Sequence, residues 1–269
     1  MSRTLTDPAD GLLIQEVGAW TPEKHDYVRR YVSATSAARV RFLPPALGGA
    51  AFVDLFAGPG RARVGKTGPI IDGSPLIAAH HREAPFTAIL LCEVDHEAAS
   101  ALRQRLGDEA RVRVFEGDCN VQIDEIAAAV PPYGLNMALI DPFGATPLHF
   151  DTLAKLARFG RMDIILHFPT WDLKRNFERS ERIDRFLGTD RWRERVREAR
   201  DVPHLVDVLR EQLEPFGYGN AEVRYVPPIK SGKNVPLYHL VFLAKNPLGD
   251  KIWQSVVRVE GSGQKRLFS

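Results

Sequence analysis

The sequence predicts an α/β fold with a mainly parallel β-sheet. Between residues 51 and 168, short apolar runs alternate with segments of helical periodicity, and glycine, proline or acidic residues follow most of the runs. Such short apolar runs are typical of strands that are buried on both faces of a parallel sheet. Because helices separate the strands, each connection is expected to be a right-handed crossover.

Composition fits a globular protein and excludes several function classes. The chain has 269 residues, 44% hydrophobic residues and a formal net charge of +2. This charge is too small to indicate nucleic-acid binding by itself. Cys92 and Cys119 have no neighbouring cysteine, so neither a zinc site nor a disulfide framework is expected. No signal peptide and no membrane-spanning run are recognisable, and the expected compartment is the cytoplasm.

The first two segments of the single predicted domain are a helical segment and a core. The helical segment covers residues 1–50, and its helix begins at Thr21 and Pro22. The core covers residues 51–170, and its apolar runs predict five strands, at 51–56, 87–95, 112–115, 135–140 and 162–168. Residues 61–72 are rich in glycine and are expected to form a loop.

The pattern changes after the fifth predicted strand. Residues 171–216 predict a charged helical insertion. The segment 217–260 predicts two closing strands and a last helix, at residues 221–226, 237–244 and 250–259. Residues 261–269 are expected to form a tail. The whole chain therefore predicts a seven-stranded sheet with a helical insertion after strand five.

A glycine turn follows the first predicted strand. The turn consists of Phe56, Ala57, Gly58 and Gly60. Open parallel sheets bind ligands at the carboxyl ends of their strands, and glycines let the backbone approach a ligand closely. A dinucleotide fingerprint needs a third small residue, but Arg63 stands at that position. The turn instead predicts S-adenosylmethionine, with Asp54 facing the amino group of its methionine part; a purely structural turn is the alternative.

Further cofactor candidates follow the next two predicted strands. Glu93, with Val94 beside it, is placed to accept hydrogen bonds from the ribose hydroxyls. Asp118, with Cys119 beside it, is placed to contact the adenine amino group. Ser74, at the start of the helix that follows residues 61–72, belongs to the same predicted set. For the two acids the alternatives are a surface carboxylate and a turn aspartate.

The fourth predicted strand ends in the motif that is expected to carry catalysis. Asp141 and the carbonyl of Pro142 are placed to accept the hydrogens of an exocyclic base amine, and Asp141 also counts among the cofactor contacts. Phe143 is placed to stack on the base and hold it in line with the methyl sulfonium, which is catalysis by positioning. Lys24 on the N-terminal helix is expected over the same site. A structural Asp-Pro turn is the alternative.

Several other polar residues are weaker candidates. His25 accompanies Lys24 on the N-terminal helix, and His167 ends the fifth predicted strand. Three residues in a loop near the sheet edge are candidates for a phosphate backbone, although a solvated loop is the simpler interpretation: Lys230, Lys233 and Asn234. No metal site is predicted.

Together the motifs resemble the three-Cys-motif partner (TcmP) family. The matching segments are residues 54–60, 73–78, 139–144 and 238–249, followed by Ile252 and Trp253. Lys24 also lies where that family tends to carry a lysine. The resemblance implies a methyltransferase-like fold and a functional association with a radical-SAM-type protein that carries three cysteines. It implies no particular substrate.

A more distant similarity is to ribosomal-RNA adenine-N6 methyltransferases of the J type. These enzymes share a Gly-Ser-Pro element after the first strand and an Asp-Pro-Pro-Tyr motif after the fourth. The similarity implies ribose, adenine and target-amine roles for Glu93, Asp118 and Asp141, respectively. This sequence departs from the motif, because Phe143 replaces the second proline and Gly144 replaces the tyrosine.

The sequence thus predicts a methyltransferase that uses S-adenosylmethionine and has a Rossmann-like class I methyltransferase fold. The favoured acceptor is an exocyclic base amine of nucleic acid, with RNA preferred over DNA. Two alternatives stay open. The first is a module that binds the cofactor or a partner protein without turnover. The second is methylation of a peptide or a small molecule, which the nearly neutral charge allows.

Overall fold

The computed structural model describes residues 5–178, 180–197, 204–218, 229–230 and 236–258. Its helices are α1 (Thr21–Ala34), α2 (Ser36–Arg39), α3 (Ser74–His80), α4 (His96–Leu106), α5 (Cys119–Ala129), α6 (Phe150–Ala157), α7 (Thr170–Arg175), α8 (Ser180–Leu187), α9 (Leu205–Leu213) and α10 (Pro247–Val257). Its strands are β1 (Leu5–Thr6), β2 (Leu13–Val17), β3 (Ala51–Asp54), β4 (Arg61–Val64), β5 (Ile70–Asp72), β6 (Ala88–Glu93), β7 (Val112–Glu116), β8 (Asn136–Ile140), β9 (Met162–Phe168), β10 (Ile229–Lys230) and β11 (Pro236–Leu243).

The main sheet has six strands of three residues or more, in the order β11-β9-β8-β3-β6-β7. The five strands from β9 to β7 are parallel, and β11 pairs with β9 in the antiparallel sense. The predicted α/β fold with a mostly parallel sheet is confirmed. The two-residue β10 pairs with β11. One of the two closing strands predicted from the sequence, at 221–226, lies outside the described residues, so the seven predicted strands are not confirmed.

Two hydrophobic clusters cover the two faces of the main sheet. One contains side chains of α5, α6 and α9. The other contains side chains of α1, α3 and α10, with the ring of Trp253 stacked on that of Phe242 at 4.7 Å between centroids. Every residue of β3 and of β8 is buried, because helices cover both faces of these central strands. The continuous apolar runs that predict these strands reflect this two-sided burial.

The sequence-based interpretation of residues 61–72 as a loop is wrong. This segment contains β4 and β5, which form an antiparallel pair. They join the N-terminal strands in a small sheet of order β1-β2-β4-β5, in which β2 runs parallel to β4. The segment 1–50, predicted as helical, therefore also carries two strands. These strands have two to five residues and are only partly buried, so they lack the apolar run that identifies the core strands.

The remaining predicted elements agree with the structure where it describes them. The predicted strand at 237–244 is β11, and the predicted helix at 250–259 is α10, which begins at Pro247. The charged insertion contains α7, α8 and α9. Among the described residues, no helix is long and apolar enough to cross a membrane.

Candidate functional site

A cavity of about 440 Å³ opens where β3, β8 and β9 end. Its walls come from the turn after β3, from β2 and β4 of the small sheet, from α1, and from the start of α7. The carboxyl edge of an open parallel sheet is where such folds bind their ligands. The volume lies within the range of small-molecule sites. This cavity is therefore the candidate functional site.

The glycine turn forms one wall of the cavity. Gly58 and Gly60 have φ of +62° and +89°, a left-handed conformation that other residues adopt only with strain. The backbone N–H of Gly58 donates to Oε2 of Glu93 at 2.7 Å, and that of Ala57 donates to the carbonyl of Cys92 at 2.9 Å. These bonds fix the turn to the end of β6. Phe56 also lines the cavity.

Asp54 lies beneath this wall and does not line the cavity. It is completely buried and accepts hydrogen bonds from the Ser74 hydroxyl at 2.6 Å and from the backbone N–H of Phe56 at 3.1 Å. Burial raises the pKa of Asp54 to about 7, and the nearby carboxylates of Asp141 and Glu93 add to this effect. Ser74 does line the cavity. In this structure Asp54 thus orients Ser74, and Ser74, not Asp54, lines the cavity.

The candidates near the ends of β6 and β7 do not line the cavity. Glu93 accepts hydrogen bonds from the N–H groups of Gly58 and Asp95. Asp118 is the N-cap of α5 and accepts from the N–H of Asn120. Val94 is exposed and Cys119 is buried. Glu93 therefore contacts the glycine turn, whereas Asp118 caps the N-terminus of α5.

A buried ionic cluster forms the floor of the cavity. Oδ2 of Asp141 makes an ion pair with Nζ of Lys24, and Oδ1 lies 2.6 Å from Nδ1 of His167. Burial by itself would raise the pKa of Asp141, but Lys24 and His167 outweigh it and hold that pKa well below its usual range. Helix α1 thus carries Lys24 into the wall of the site. The pairing of Asp141 with His167, a weaker candidate from sequence, is a new feature.

The charge state of His167 follows from its surroundings. Burial lowers the pKa of His167, although Asp141 opposes the shift, so the imidazole is neutral near pH 7. A carboxylate at that pH only accepts hydrogen bonds, so Nδ1 carries the proton that points to Asp141. His25, also in the cavity wall, has a pKa lowered to about 4, chiefly by burial, and its buried Nδ1 has no hydrogen-bond partner among the described residues.

The mouth of the cavity is aromatic. Phe143 and Trp171 line it and remain 80% and 46% exposed, and Pro142 lies beside them. Arg175 lines the same wall. Sequence reasoning missed Trp171 and Arg175, which begin a segment that it treated only as a charged surface. Because they lie four residues apart, a helix over this segment places both side chains on one face, and this spacing is the sequence signal that could have found them.

The other candidates have weaker support. Lys230 belongs to β10, and Lys233 and Asn234 lie outside the described residues. Within the described part of the chain, no three His, Cys, Asp or Glu side chains form a group that could hold a metal ion.

Comparisons with known proteins give a weak likeness at the level of structure. No protein-family model matches the chain, and no curated protein matches it. Among solved structures, the chain is similar to protein LPL1258 from Legionella pneumophila str. Philadelphia 1, described under the family model DUF519. The sequence identity is 10%, the TM-score is 0.45, and the match covers 84% of this chain and 88% of the other. A likeness at this level supports no statement about function.

Proposed function

We propose that the protein is an S-adenosylmethionine-dependent methyltransferase of class I fold, related to the TcmP family that its motifs resemble. The observation that carries the proposal is the cavity that joins the glycine turn to the Asp141 cluster at the carboxyl edge of the sheet. One cavity would thus hold both the cofactor and the carboxylate that meets the acceptor. The proposed acceptor is an exocyclic base amine of nucleic acid, with RNA favoured.

The strand order supports this family over a nicotinamide enzyme. Counted from β3, the sheet has the order third, second, first, fourth, fifth, and an antiparallel strand then follows the fifth. Rossmann dinucleotide domains continue with a parallel sixth strand at that position. A seven-stranded methyltransferase sheet closes with an antiparallel hairpin there, and the pair formed by β10 and β11 is consistent with it.

The residues present fit the cofactor. Gly58 and Gly60 hold the turn in a left-handed conformation at the cavity wall, and Ser74 offers a hydroxyl held by Asp54. Glu93, whose oxygens accept from the N–H groups of Gly58 and Asp95, would share one of them with a ribose that lies along the turn. When bound, the cofactor supplies an electrophilic methyl group on a sulfonium.

Catalysis would depend on how the chain holds the acceptor. Asp141 stays ionised because Lys24 and His167 hold its negative charge, so its oxygens can accept the N–H hydrogens of an amine. The carbonyl of Pro142 would accept the second hydrogen. Fixing the amine in line with the methyl group is catalysis by positioning.

One observation favours the alternative of a module that binds without turnover. Both oxygens of Asp141 already have partners, Lys24 and His167, so an acceptor amine must share one of these oxygens. In a binding module this cluster would only stabilise the floor of the site. Methylation of a peptide or small molecule is a further possible result of an acceptor screen.

Calorimetry with S-adenosylmethionine tests the central claim. We expect the wild-type protein to bind it and Glu93→Ala to weaken binding about 10-fold, because that change removes the acceptor of the Gly58 N–H. Glu125→Ala, an exposed change on α5, is the control and should have no effect. Absence of binding by the wild-type protein would refute the proposal.

Transfer of labelled methyl groups into RNA, DNA and protein fractions then identifies the acceptor. The assay is run with and without the three-Cys-motif protein that the family resemblance suggests as a partner. We expect label in RNA and expect Asp141→Ala to abolish it while cofactor binding persists. Cofactor binding without transfer into any fraction would favour the non-catalytic module.

A further inference from the structure

The mouth of the cavity carries an aromatic and a cationic side chain on one short helix. Trp171 and Arg175 lie four residues apart on α7, so they share one face of it, and both line the cavity. Trp171 is 46% exposed, although large aromatic side chains are normally well covered in a folded core. An exposed indole in a cavity wall presents a flat surface to a ligand.

The structure holds this helix firmly against the turn that follows Asp141. Asp172 accepts a hydrogen bond from the backbone N–H of Ala145 at 3.0 Å, and Leu173 is buried in the core. The hydroxyl of Thr170 lies 2.7 Å from Nδ1 of His239 on β11. Trp171 is therefore fixed relative to the Asp141 cluster and does not sit on an independent loop.

The charges of the cavity distinguish Arg175 from the other cations. Lys24 is paired with Asp141, and Arg61 is paired with Asp7. Arg175 makes no hydrogen bond or ion pair with any residue that the structure describes. Glu16, an exposed carboxylate on β2, would repel an anion on its own wall. Asp172 on α7 also lines the cavity, but its carboxylate already accepts hydrogen bonds from the backbone N–H of Ala145 and from the side-chain amide of Asn176. Arg175 therefore attracts an anionic group to the α7 side of the mouth.

We propose that Trp171 and Arg175 form an acceptor subsite for one unpaired nucleotide of a single-stranded nucleic acid. Trp171 stacks on the base, and Arg175 pairs with a phosphate next to it. Aromatic stacking combined with cationic contacts to the backbone is how proteins bind single strands. The assignment rests on the proposed function, since it gives the methyl acceptor a place in the same cavity.

Fluorescence anisotropy of a short labelled single-stranded RNA, with S-adenosylhomocysteine present, tests the subsite. Trp171→Ala should weaken RNA binding about 10-fold or more, and Trp171→Phe, which retains a ring, should restore most of the affinity. Arg175→Gln should reduce the slope of log affinity against log salt by about 0.7, the effect of one lost phosphate contact on a single strand. Arg158→Gln, an exposed change outside the cavity, is the matched control.

The outcomes separate this subsite from the proposed function. Equal RNA affinity for the wild type, Trp171→Ala and Arg175→Gln would overturn the subsite, and so would absence of RNA binding by a wild type that binds S-adenosylmethionine in calorimetry. RNA binding that depends on both residues, in a protein that does not bind the cofactor, would support the nucleotide subsite and refute the methyltransferase. Should Trp171→Ala unfold the protein, the affinity and salt dependence of Arg175→Gln still decide whether the subsite exists. Single-stranded DNA of the same sequence, tested in parallel, shows which strand type is preferred.

Discussion

The Lys24–Asp141 ion pair is mostly buried, with side-chain exposures of 9% and 20%. Such a pair contributes little net stability relative to apolar side chains of the same size, since both charges lose their hydration. Removing one member is different, because the other charge stays buried without a counterion. A buried ion pair beside a cavity is therefore better explained by a role of the charge in the site than by its effect on stability.

A double-mutant cycle on this pair tests the coupling. Lys24→Met alone should lower the free energy of unfolding by about 3 kcal/mol, because Asp141 is left uncompensated. Lys24→Met combined with Asp141→Asn should lower it by clearly less than the sum of the single changes, as measured by urea denaturation. The exposed pair Lys155–Asp124 is the control, where coupling should stay within about 0.5 kcal/mol. Additive effects at Lys24 and Asp141 would contradict the buried ion pair.

Asp163 provides a pH-dependent contribution at the opposite end of β9. Its carboxylate accepts a hydrogen bond from the Tyr31 hydroxyl at 2.7 Å, while burial, with Asp250 nearby, raises the pKa of Asp163 to about 6. The folded state thus binds this proton more tightly than the unfolded state does. The free energy of unfolding therefore falls as the pH rises from about 4 to 6. Above that range Asp163 is fully ionised in the folded state, and the destabilisation by its buried charge no longer increases.

Asp163→Asn should remove this penalty, because an amide oxygen still accepts from Tyr31 and carries no charge. We expect the variant to gain about 3 kcal/mol of unfolding free energy at pH 8 and less than about 1 kcal/mol at pH 4. Urea denaturation at both pH values measures the difference. An equal change at the two pH values would mean that packing, and not titration, is responsible.

At the scale of residues, the sequence predicts which side chains belong to the site better than it predicts which of them contact each other. Asp141 was predicted from its place at a strand end, and Lys24 from its place on the N-terminal helix. Their direct pairing spans 117 positions, and His167 lies 26 positions from Asp141. Contacts across such separations depend on the full strand order, which one sequence does not specify. The supporting contact between Asp54 and Ser74 was missed for the same reason.

At the scale of elements, the turn after β8 depends on Gly144. A Cβ atom at this position would lie 2.8 Å from Oδ2 of Asp172, the carboxylate that holds α7 to the turn. Gly144→Ala should therefore lower the free energy of unfolding by about 1–3 kcal/mol through overpacking. Gly160→Ala has open space around its Cβ and should change stability by less than about 0.5 kcal/mol. Urea denaturation measures the unfolding free energy of both variants. Equal losses for Gly144→Ala and Gly160→Ala would contradict the close contact between residue 144 and Asp172.

The elements differ in how far their sequence predicts them. The strands β3, β6, β8 and β9 are continuous apolar runs because helices cover both faces of the sheet. The strands of the small sheet have no such pattern, because they are short and partly exposed. Their formation depends on parallel pairing of β2 with β4, which are far apart in sequence. Local propensity carries no signal of that pairing.

At the scale of the whole molecule, one arginine joins the small sheet to the main fold. Arg105 on α4, with a side chain only 4% exposed, makes an ion pair with Asp10 at 2.9 Å. It also donates to the carbonyl of Leu13 at the start of β2 and to that of Pro59 in the glycine turn. The side chain of Arg105 therefore contacts both β2, which forms part of the cavity wall, and the glycine turn, which carries proposed cofactor contacts.

Arg105→Gln should loosen this junction, because a shorter neutral side chain cannot make all three contacts. We expect a loss of about 2–3 kcal/mol of unfolding free energy, faster amide hydrogen exchange in β2 and β4, and at least about 10-fold weaker binding of S-adenosylmethionine. Arg103→Gln on the same helix is the matched control. Its ion pair with Glu116 is solvent-exposed, so its loss should cost less than about 1 kcal/mol and leave hydrogen exchange in the small sheet unchanged. If both variants behave alike, the small sheet is held by its own strand pairing, and its closure over the cavity does not depend on Arg105.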